Sequence, residues 1–351
     1  MKLRSKKVLS MDFDTRSIKM AEGIFKKGKL NIEATFLLDL PEGVYEDGYI
    51  NDKNLLSEIM DSFLRLNNIK TDNIVAVVNS SDILTRDIII PSVGEDEIEG
   101  ILKYKIADYI PIDPEDYIVQ YINEGVFMEN GNEKLKLFIV AMPKTLAKQH
   151  FDLLRDLDLK PRILDFQSNA IRKFLSFNET IEKNSIIKEK TIASINVEFA
   201  TTNLTILKDE AIEISRNIPL GIKNILENVD VNLNLTEREI LDSIFSFKKS
   251  DKSSLTEEEN LEITGALNNL LSRLFDSLEM VFRYYSSQEQ NNKIDLIILQ
   301  GSIADVDDIK ERFENYLNIK TLSINSLNGL LDKNLDIYSN AIGSLIRGES
   351  I

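Results

Sequence analysis

The chain has 351 residues, 43% of them hydrophobic, enough to build two globular domains with separate cores. A formal net charge of −16 opposes nucleic acid and anionic lipid as direct partners, and the lack of cysteine removes disulfides, thiolate metal sites and cysteine nucleophiles while fitting a reducing compartment. One histidine, His150, supports neither a zinc site of the usual ligand types nor a Ser-His-Asp relay, and reads as an ordinary helix residue. No run reaches the ~18 to 20 apolar residues of a membrane span. The opening Met1-Lys2-Leu3-Arg4-Ser5-Lys6-Lys7 leads into a strand rather than a signal-peptide core, so a cytoplasmic protein with a solubilising basic tail at Lys2, Arg4, Lys6 and Lys7 is expected.

In chain order, the first element is a hairpin. Val8 to Asp12 runs through a polar turn at Asp14, Thr15, Arg16 and Ser17 into Ile18 to Glu22, and the Lys27-Gly28-Lys29 turn leads on to Leu30 to Leu38. A helix over about 52 to 68 follows, with Leu55, Leu56, Ile59, Phe63, Leu64 and Leu66 as its apolar face, and then the buried strand Ile74 to Val78. Residues of about 80 to 160 read as an inserted subdomain. It has a strand alternating through Ile83, Thr85, Asp87 and Ile89 and ended by Pro91, a helix over 94 to 109, and strands near 116 to 127 and 135 to 141 around a turn at Glu129-Asn130-Gly131-Asn132. A helix over 144 to 157 and a strand at Arg162 to Asp165 close it.

The hairpin then recurs. Thr191 to Asn196 turns at Glu198 to Thr202 into Leu204 to Leu207, and a second turn at Lys208-Asp209-Glu210 returns through Ala211 to Ile218. Asp12 and Asn196 hold the same place, two residues before an acidic turn residue, Asp14 in one copy and Glu198 in the other, so two related halves are implied. A long helix starts at Thr256 with the Thr-x-x-Glu capping spacing to Glu259, and its stripe of Leu267, Leu270, Leu271, Leu274, Leu278, Val281, Phe282 and Tyr285 is one buried face. The strand Asp295 to Leu299 is broken by Gln300-Gly301-Ser302 before a helix over 305 to 316.

These residues resemble the PilM family of type IV pilus assembly, relatives of the cell-division protein FtsA. Met11-Asp12-Phe13-Asp14-Thr15-Arg16-Ser17-Ile18-Lys19 is similar to the family's Asp-Ile-Gly-Ser-Ser-x-Val-Lys. Leu40-Pro41-Glu42-Gly43 with Asp47-Gly48-Tyr49-Ile50, Thr85 to Pro91, Asp108 to Ile112, and the closing Tyr338 to Ile346 carry the resemblance along nearly the whole chain. It implies an α/β, actin-like fold of duplicated ribonuclease-H-like halves with an FtsA-type inserted subdomain. The first half is expected at 1–79 with 161–190 and 338–351, the subdomain at 80–160, and the second half at 191–337.

Family members bind ATP between the halves, and Asp12, Asp14, Thr15, Ser17, Lys19, Asn196, Glu198, Thr201, Thr202, Gly221, Gly301 and Ser302 are the matching positions here. The chain departs from the pattern where the family's turns use glycine to bring amides against phosphate: Asp14 and Glu198 stand there instead. A carboxylate ~4 Å from a phosphate charge costs about 4 kcal/mol at an effective dielectric of ~20. Magnesium bridging Asp12 or Asp14 to phosphate leaves weak ATP binding open, but no cofactor or metal is required and hydrolysis is not expected. The bland reading makes Asp12 and Asp14 flank a tight turn, Lys19 an exposed strand residue, and Gly221 and Gly301 simple turns. It also makes Glu95-Asp96-Glu97 and Glu257-Glu258-Glu259 helix-start charges.

The resemblance also implies a partner, the N-terminal cytoplasmic peptide of the inner-membrane protein PilN, docking along Leu84, Arg86 and Ile88 and the helix carrying Ile101, Lys105 and Tyr109. The expected function is a non-catalytic scaffold with a degenerate nucleotide cleft, recruited to the membrane only through that partner and reaching the pilus motor ATPase. The alternative is an ATP-binding switch or filament former like FtsA or MreB. A membrane-bound filament is disfavoured, because Arg347 to Ile351 is too short for an amphipathic anchor.

Overall fold

A computed structural model describes residues 7–178, 180, 181, 185–245, 255–324 and 335–347. Lys2, Arg4 and Lys6, and positions 348–351, therefore lie outside the described residues. The chain divides into two compact units, Met1–Phe166 with Ala211–Glu213, and Gln167–Glu210 with Ile214–Ile351.

The first unit opens with β1 (Val8–Asp14), β2 (Ser17–Lys26) and β3 (Lys29–Asp39), an antiparallel meander. The short pair β4 (Tyr45–Glu46) and β5 (Tyr49–Ile50), helix α1 (Lys53–Leu66) and β6 (Asn73–Val78) follow. Asp52 caps α1 by accepting the Leu55 N–H at 2.9 Å. The buried stripe of α1 is Leu56, Met60 and Leu64; Leu55 and Leu66, expected on that face, point to solvent, because the four-residue spacing from Leu56 fixes the inward side. Lys7, expected in a free tail, instead pairs with Glu22 at 3.1 Å and Glu33 at 2.6 Å.

The inserted elements are β7 (Leu84–Pro91), α2 (Glu95–Tyr109), β8 (Tyr117–Glu129) and β9 (Asn132–Pro143). They form a three-stranded sheet in the order β7-β9-β8, with α2 covering one face through Ile98, Leu102 and Ile106. The β8–β9 turn is Asn130-Gly131, both at positive φ, the pairing that suits the twist of a two-residue hairpin. The expected alternation in β7 is present, with Ile88 and Ile90 buried and Ile89 exposed. Helix α3 (Lys144–Asp156) and β10 (Lys160–Phe166) complete a five-stranded sheet in the order β10-β6-β1-β2-β3, in which β6 runs parallel to β1 and β10.

The second unit contains α4 (Gln167–Phe177), β11 (Thr180–Ile181), β12 (Ser185–Ile186), β13 (Ile192–Val197), β14 (Thr202–Lys208), β15 (Ala211–Ile218) from Ile214 onward, α5 (Lys223–Asn228), α6 (Glu237–Phe245), α7 (Glu257–Gln288), β16 (Leu296–Gln300), α8 (Ile309–Leu317), β17 (Thr321–Ser323) and α9 (Leu335–Leu345). Its sheet order, β15-β14-β13-β16-β17, repeats that of the first unit strand for strand, again with parallel pairing from the hairpin's first strand outward. The duplication expected from the two hairpins is therefore present in the topology. The Thr256–Glu259 capping box starts α7, and the predicted leucine stripe lies in the core, each fully buried side chain contributing about 1.5–3 kcal/mol. Helix α8 starts at Ile309, later than expected, because Ser302–Asp305 is a separate tight turn and Asp308 takes a left-handed conformation before it.

Candidate functional site

In the first hairpin, strand β1 is central in its sheet and buried on both faces except at its ends, which draws its polar residues inside with it. Asp12 is fully buried, and Lys19 is its direct cross-strand partner and 98% buried, so the expectation of an exposed lysine fails. The register sets an aspartate opposite a lysine inside the sheet, two ionisable residues drawn in by strands covered on both faces. Asp14 and Ser17 pair at the hairpin end, half-buried, with Thr15 and Arg16 as a two-residue turn. The Leu40 N–H donates to the Arg16 carbonyl at 2.8 Å, and Arg16 lies 3.7 Å from Glu42. None of the four turn residues has positive φ, so the turn closes without the glycine of the family pattern.

Behind this turn, Phe13 packs edge-on against His150 at 5.1 Å and beside Tyr45 at 5.7 Å. His150 Nδ1 lies 2.9 Å from the Leu146 carbonyl, which can only accept, so Nδ1 carries the proton and Nε2 accepts from the Tyr45 hydroxyl at 3.1 Å. Burial depresses His150 to about 4, opposed by the Leu146 contact. Burial also pushes the Tyr45 hydroxyl well above its ordinary value, helped by Asp12 and Asp14. The sole histidine lies on a helix as expected, and from there its buried ring braces the first hairpin. Sequence reasoning missed this, because Tyr45 falls between the family-like stretches Leu40–Gly43 and Asp47–Ile50.

In the second hairpin, the turn after β13 is four residues, Glu198 to Thr201, again with no positive φ. Its polar backbone is occupied from within. The Glu198 N–H donates to the Thr201 carbonyl at 2.9 Å, and the Ile222 and Lys223 amides donate to the Glu198 and Phe199 carbonyls at 3.0 and 2.8 Å. Gly221 sits so close that a Cβ there would lie 2.5 Å from the Phe199 carbonyl oxygen. Gly301, at φ +73, would place a Cβ 2.5 Å from the Val197 oxygen and 2.7 Å from Asn196 Oδ1. Both glycines are required by close packing onto this hairpin. The Asn196 amide donates to Gln167 at 3.4 Å, Thr202 donates to the Leu220 carbonyl at 2.7 Å, and Gln300 bridges Ser194 and Ser339. Glu198 is itself buried, while Thr201 and Ser302 are half-buried. Asp12, Asp14, Thr15, Ser17 and Lys19 are thus gathered by the first hairpin, and Asn196, Glu198, Thr201, Thr202, Gly221 and Gly301 by the second. Among the described residues no group of three His, Cys, Asp or Glu could hold a metal ion.

The expected peptide site lies at the β7 edge of the inserted sheet. Ile88 is buried beneath α2 and serves the core, whereas Leu84, Ile101 and Tyr109 are half-buried at its margin and Arg86 and Lys105 are exposed. On the opposite face of β7, Lys136 lies 3.7 Å from Asp87 and 3.3 Å from Glu124. Burial raises Asp87 to about 7, against the pull of Lys136.

Comparison with known proteins gives one consistent result. A family model described as type IV pilus assembly protein PilM matches residues 10–336. Among solved structures, a PilM-PilN type IV pilus biogenesis complex aligns with 97% of this chain and 98% of that one at 14% identity and a TM-score of 0.77. The ethanolamine utilization protein EutJ from Carboxydothermus hydrogenoformans aligns over 99% and 92% at 12% identity and TM-score 0.57. MreB5 of Spiroplasma citri bound to ADP aligns over 97% and 95% at 10% identity and TM-score 0.51. The fold is therefore actin-like, as the resemblance implied. No described helix is long and apolar enough to cross a membrane.

Proposed function

The chain belongs to the type IV pilus assembly protein PilM family, and from that premise we propose that it is a non-catalytic pilus-assembly scaffold that binds the N-terminal cytoplasmic peptide of a PilN-like membrane protein. The observation that carries this reading is the match to the PilM-PilN complex over 97% of the chain. The peptide lies along the β7 edge, with Leu84, Ile101 and Tyr109 supplying apolar contact, Arg86 and Lys105 orienting its backbone, and Ile88 supporting the floor from below. Apolar contact supplies the affinity, and the two cationic side chains at the rim set the peptide's direction. The scaffold is cytoplasmic, is held at the membrane through PilN alone, and passes the connection on to the pilus motor ATPase.

Nucleotide is not required for this role. The Glu198 amide, turned to the Thr201 carbonyl, and the carboxylates of Asp14 and Glu198 support a degenerate cleft with weak ATP and magnesium binding. The second reading, an ATP-dependent switch or filament former, is favoured by one observation, the likeness to MreB5 solved with ADP. Titrating a labelled peptide from the N-terminus of the cognate PilN distinguishes them. We expect binding without nucleotide that weakens about tenfold or more in an Arg86→Glu/Lys105→Glu variant. No binding under any condition overturns the scaffold reading.

A further inference from the structure

We propose that the opposite edge of the inserted sheet, strand β8, is a second peptide-docking site, and that its occupant is an extended segment alternating apolar residues with lysine or arginine. This site is separate from the β7 edge and independent of the PilN reading.

Three observations converge on it. The first is the edge itself. In the sheet order β7-β9-β8, β8 is paired on one side only among the described residues. Its straight stretch, Tyr117-Ile118-Val119-Gln120-Tyr121-Ile122-Asn123, ends at a bulge where the register slips between Asn123 and Gly125. Proteins protect exposed strand edges with charge, proline or early bulges, because an unpaired row of N–H and C=O groups is a template for another strand. The β7 edge follows that rule with Arg86, Asp87 and Pro91. The seven residues of β8 hold no charge and no proline, and they are rich in the β-branched and aromatic types that favour strand pairing.

The second observation is a groove beside this edge. A cavity of about 520 Å³ lies between α2 and β8, lined chiefly by Leu102, Lys103, Ile106, Tyr117, Val119 and Tyr121. Residues 117, 119 and 121 share the α2 face of the strand, so a strand added to the β8 edge would present every second side chain along this groove. Ile101 and Lys105, assigned to the other site, lie on the opposite flank of α2 from Glu99 and Lys103 by helical geometry.

The third is charge. Between positions 95 and 116 stand eight carboxylates against two lysines. Glu95, Asp96, Glu97, Glu99, Asp113 and Glu115 are all exposed. The field of Glu95 and Glu99 reaches the groove, where, after burial, it raises the Tyr121 hydroxyl. A cationic peptide is attracted to this rim, and a second copy of the chain, bringing the same carboxylates, is repelled from edge-to-edge pairing.

The test uses the full chain and a fluorescein-labelled alternating valine–lysine octapeptide, with affinity read by anisotropy and the contact located by amide hydrogen exchange. We expect saturable binding, new protection confined to Tyr117–Asn123, and a loss of about tenfold or more when alternate peptide amides on the probe are N-methylated. Glu99→Lys, an exposed change that leaves the fold alone, should weaken binding several-fold, and an alternating valine–glutamate probe should not bind. Equal affinity for the N-methylated probe, indifference to Glu99→Lys, or protection at β7 instead of β8 would overturn the proposal. So would concentration-dependent dimerisation through β8 that excludes the probe, since it would make a second copy the occupant.

Discussion

The two hairpins share one topology and hold their turns in opposite ways. The first closes in two residues and is braced from behind by side chains distant in sequence, with Phe13, Tyr45 and His150 packed beneath it and Asp12 facing Lys19 across the strands. The second closes in four residues and is packed from outside by backbone, with Gly221 and Gly301 pressed onto its carbonyls. A hairpin turn without glycine is held by side chains in one copy and by close backbone packing in the other. A titratable brace makes one hairpin sensitive to pH, and backbone packing makes the other sensitive to a single methyl group.

The largest effect should come from that methyl group. Gly301→Ala combines a positive φ with a 2.5 Å overlap onto the Val197 carbonyl. We expect a loss of about 3 kcal/mol or more, read by urea unfolding and by hydrogen exchange in peptides from β13 and β16. Comparable stability in the variant would show that the backbone packing is looser than described.

The next effect belongs to the first hairpin and is pH-dependent. Folding depresses His150 from 6.5 to about 4, so the unfolded chain binds the extra proton. Stability from this group is complete above about pH 6.5 and falls as pH drops toward 4, a difference on the order of 3 kcal/mol. Asp87 acts in the opposite direction, since its raised value of about 7 means stability lost as pH rises from 3.8 through 7. The difference between wild type and His150→Gln therefore isolates the histidine. Stability measured across pH 4 to 6.5 should fall less steeply with acid in the variant, and identical slopes would contradict the brace.

Smaller changes sharpen the contrast. Tyr45→Phe leaves His150 Nε2 buried without its donor and should cost about 1–2 kcal/mol at neutral pH. Asp14→Gly should cost under about 1 kcal/mol, because the turn already closes without positive φ and gains only unfolded-state freedom. A large loss would mean that the Asp14 carboxylate holds the turn.

Local pattern made much of the fold legible. Alternation located both hairpins, Asn130-Gly131 marked its turn, and the Thr256–Glu259 spacing placed the start of α7. Helix α4 escaped, because its buried Gln167 and Ser168 interrupt the apolar stripe that periodicity relies on. The burial of Lys19 escaped for a related reason: a strand central in its sheet is buried on both faces, so alternation cannot tell a covered polar face from a wet one. The Tyr45–His150 brace joins residues 105 apart, a pairing that no local spacing encodes. Gly221 and Gly301 were visible as residues, but only the packed hairpin beneath them gives the reason they are glycine.

The central claim is that partner binding does not depend on nucleotide. Isothermal titration of the PilN-like peptide into the purified protein, with and without saturating magnesium-ATP, tests it most directly. The account predicts the same affinity in both titrations and no heat from ATP alone at micromolar concentration. Peptide binding that appears only with ATP, or tight ATP binding by itself, would contradict it.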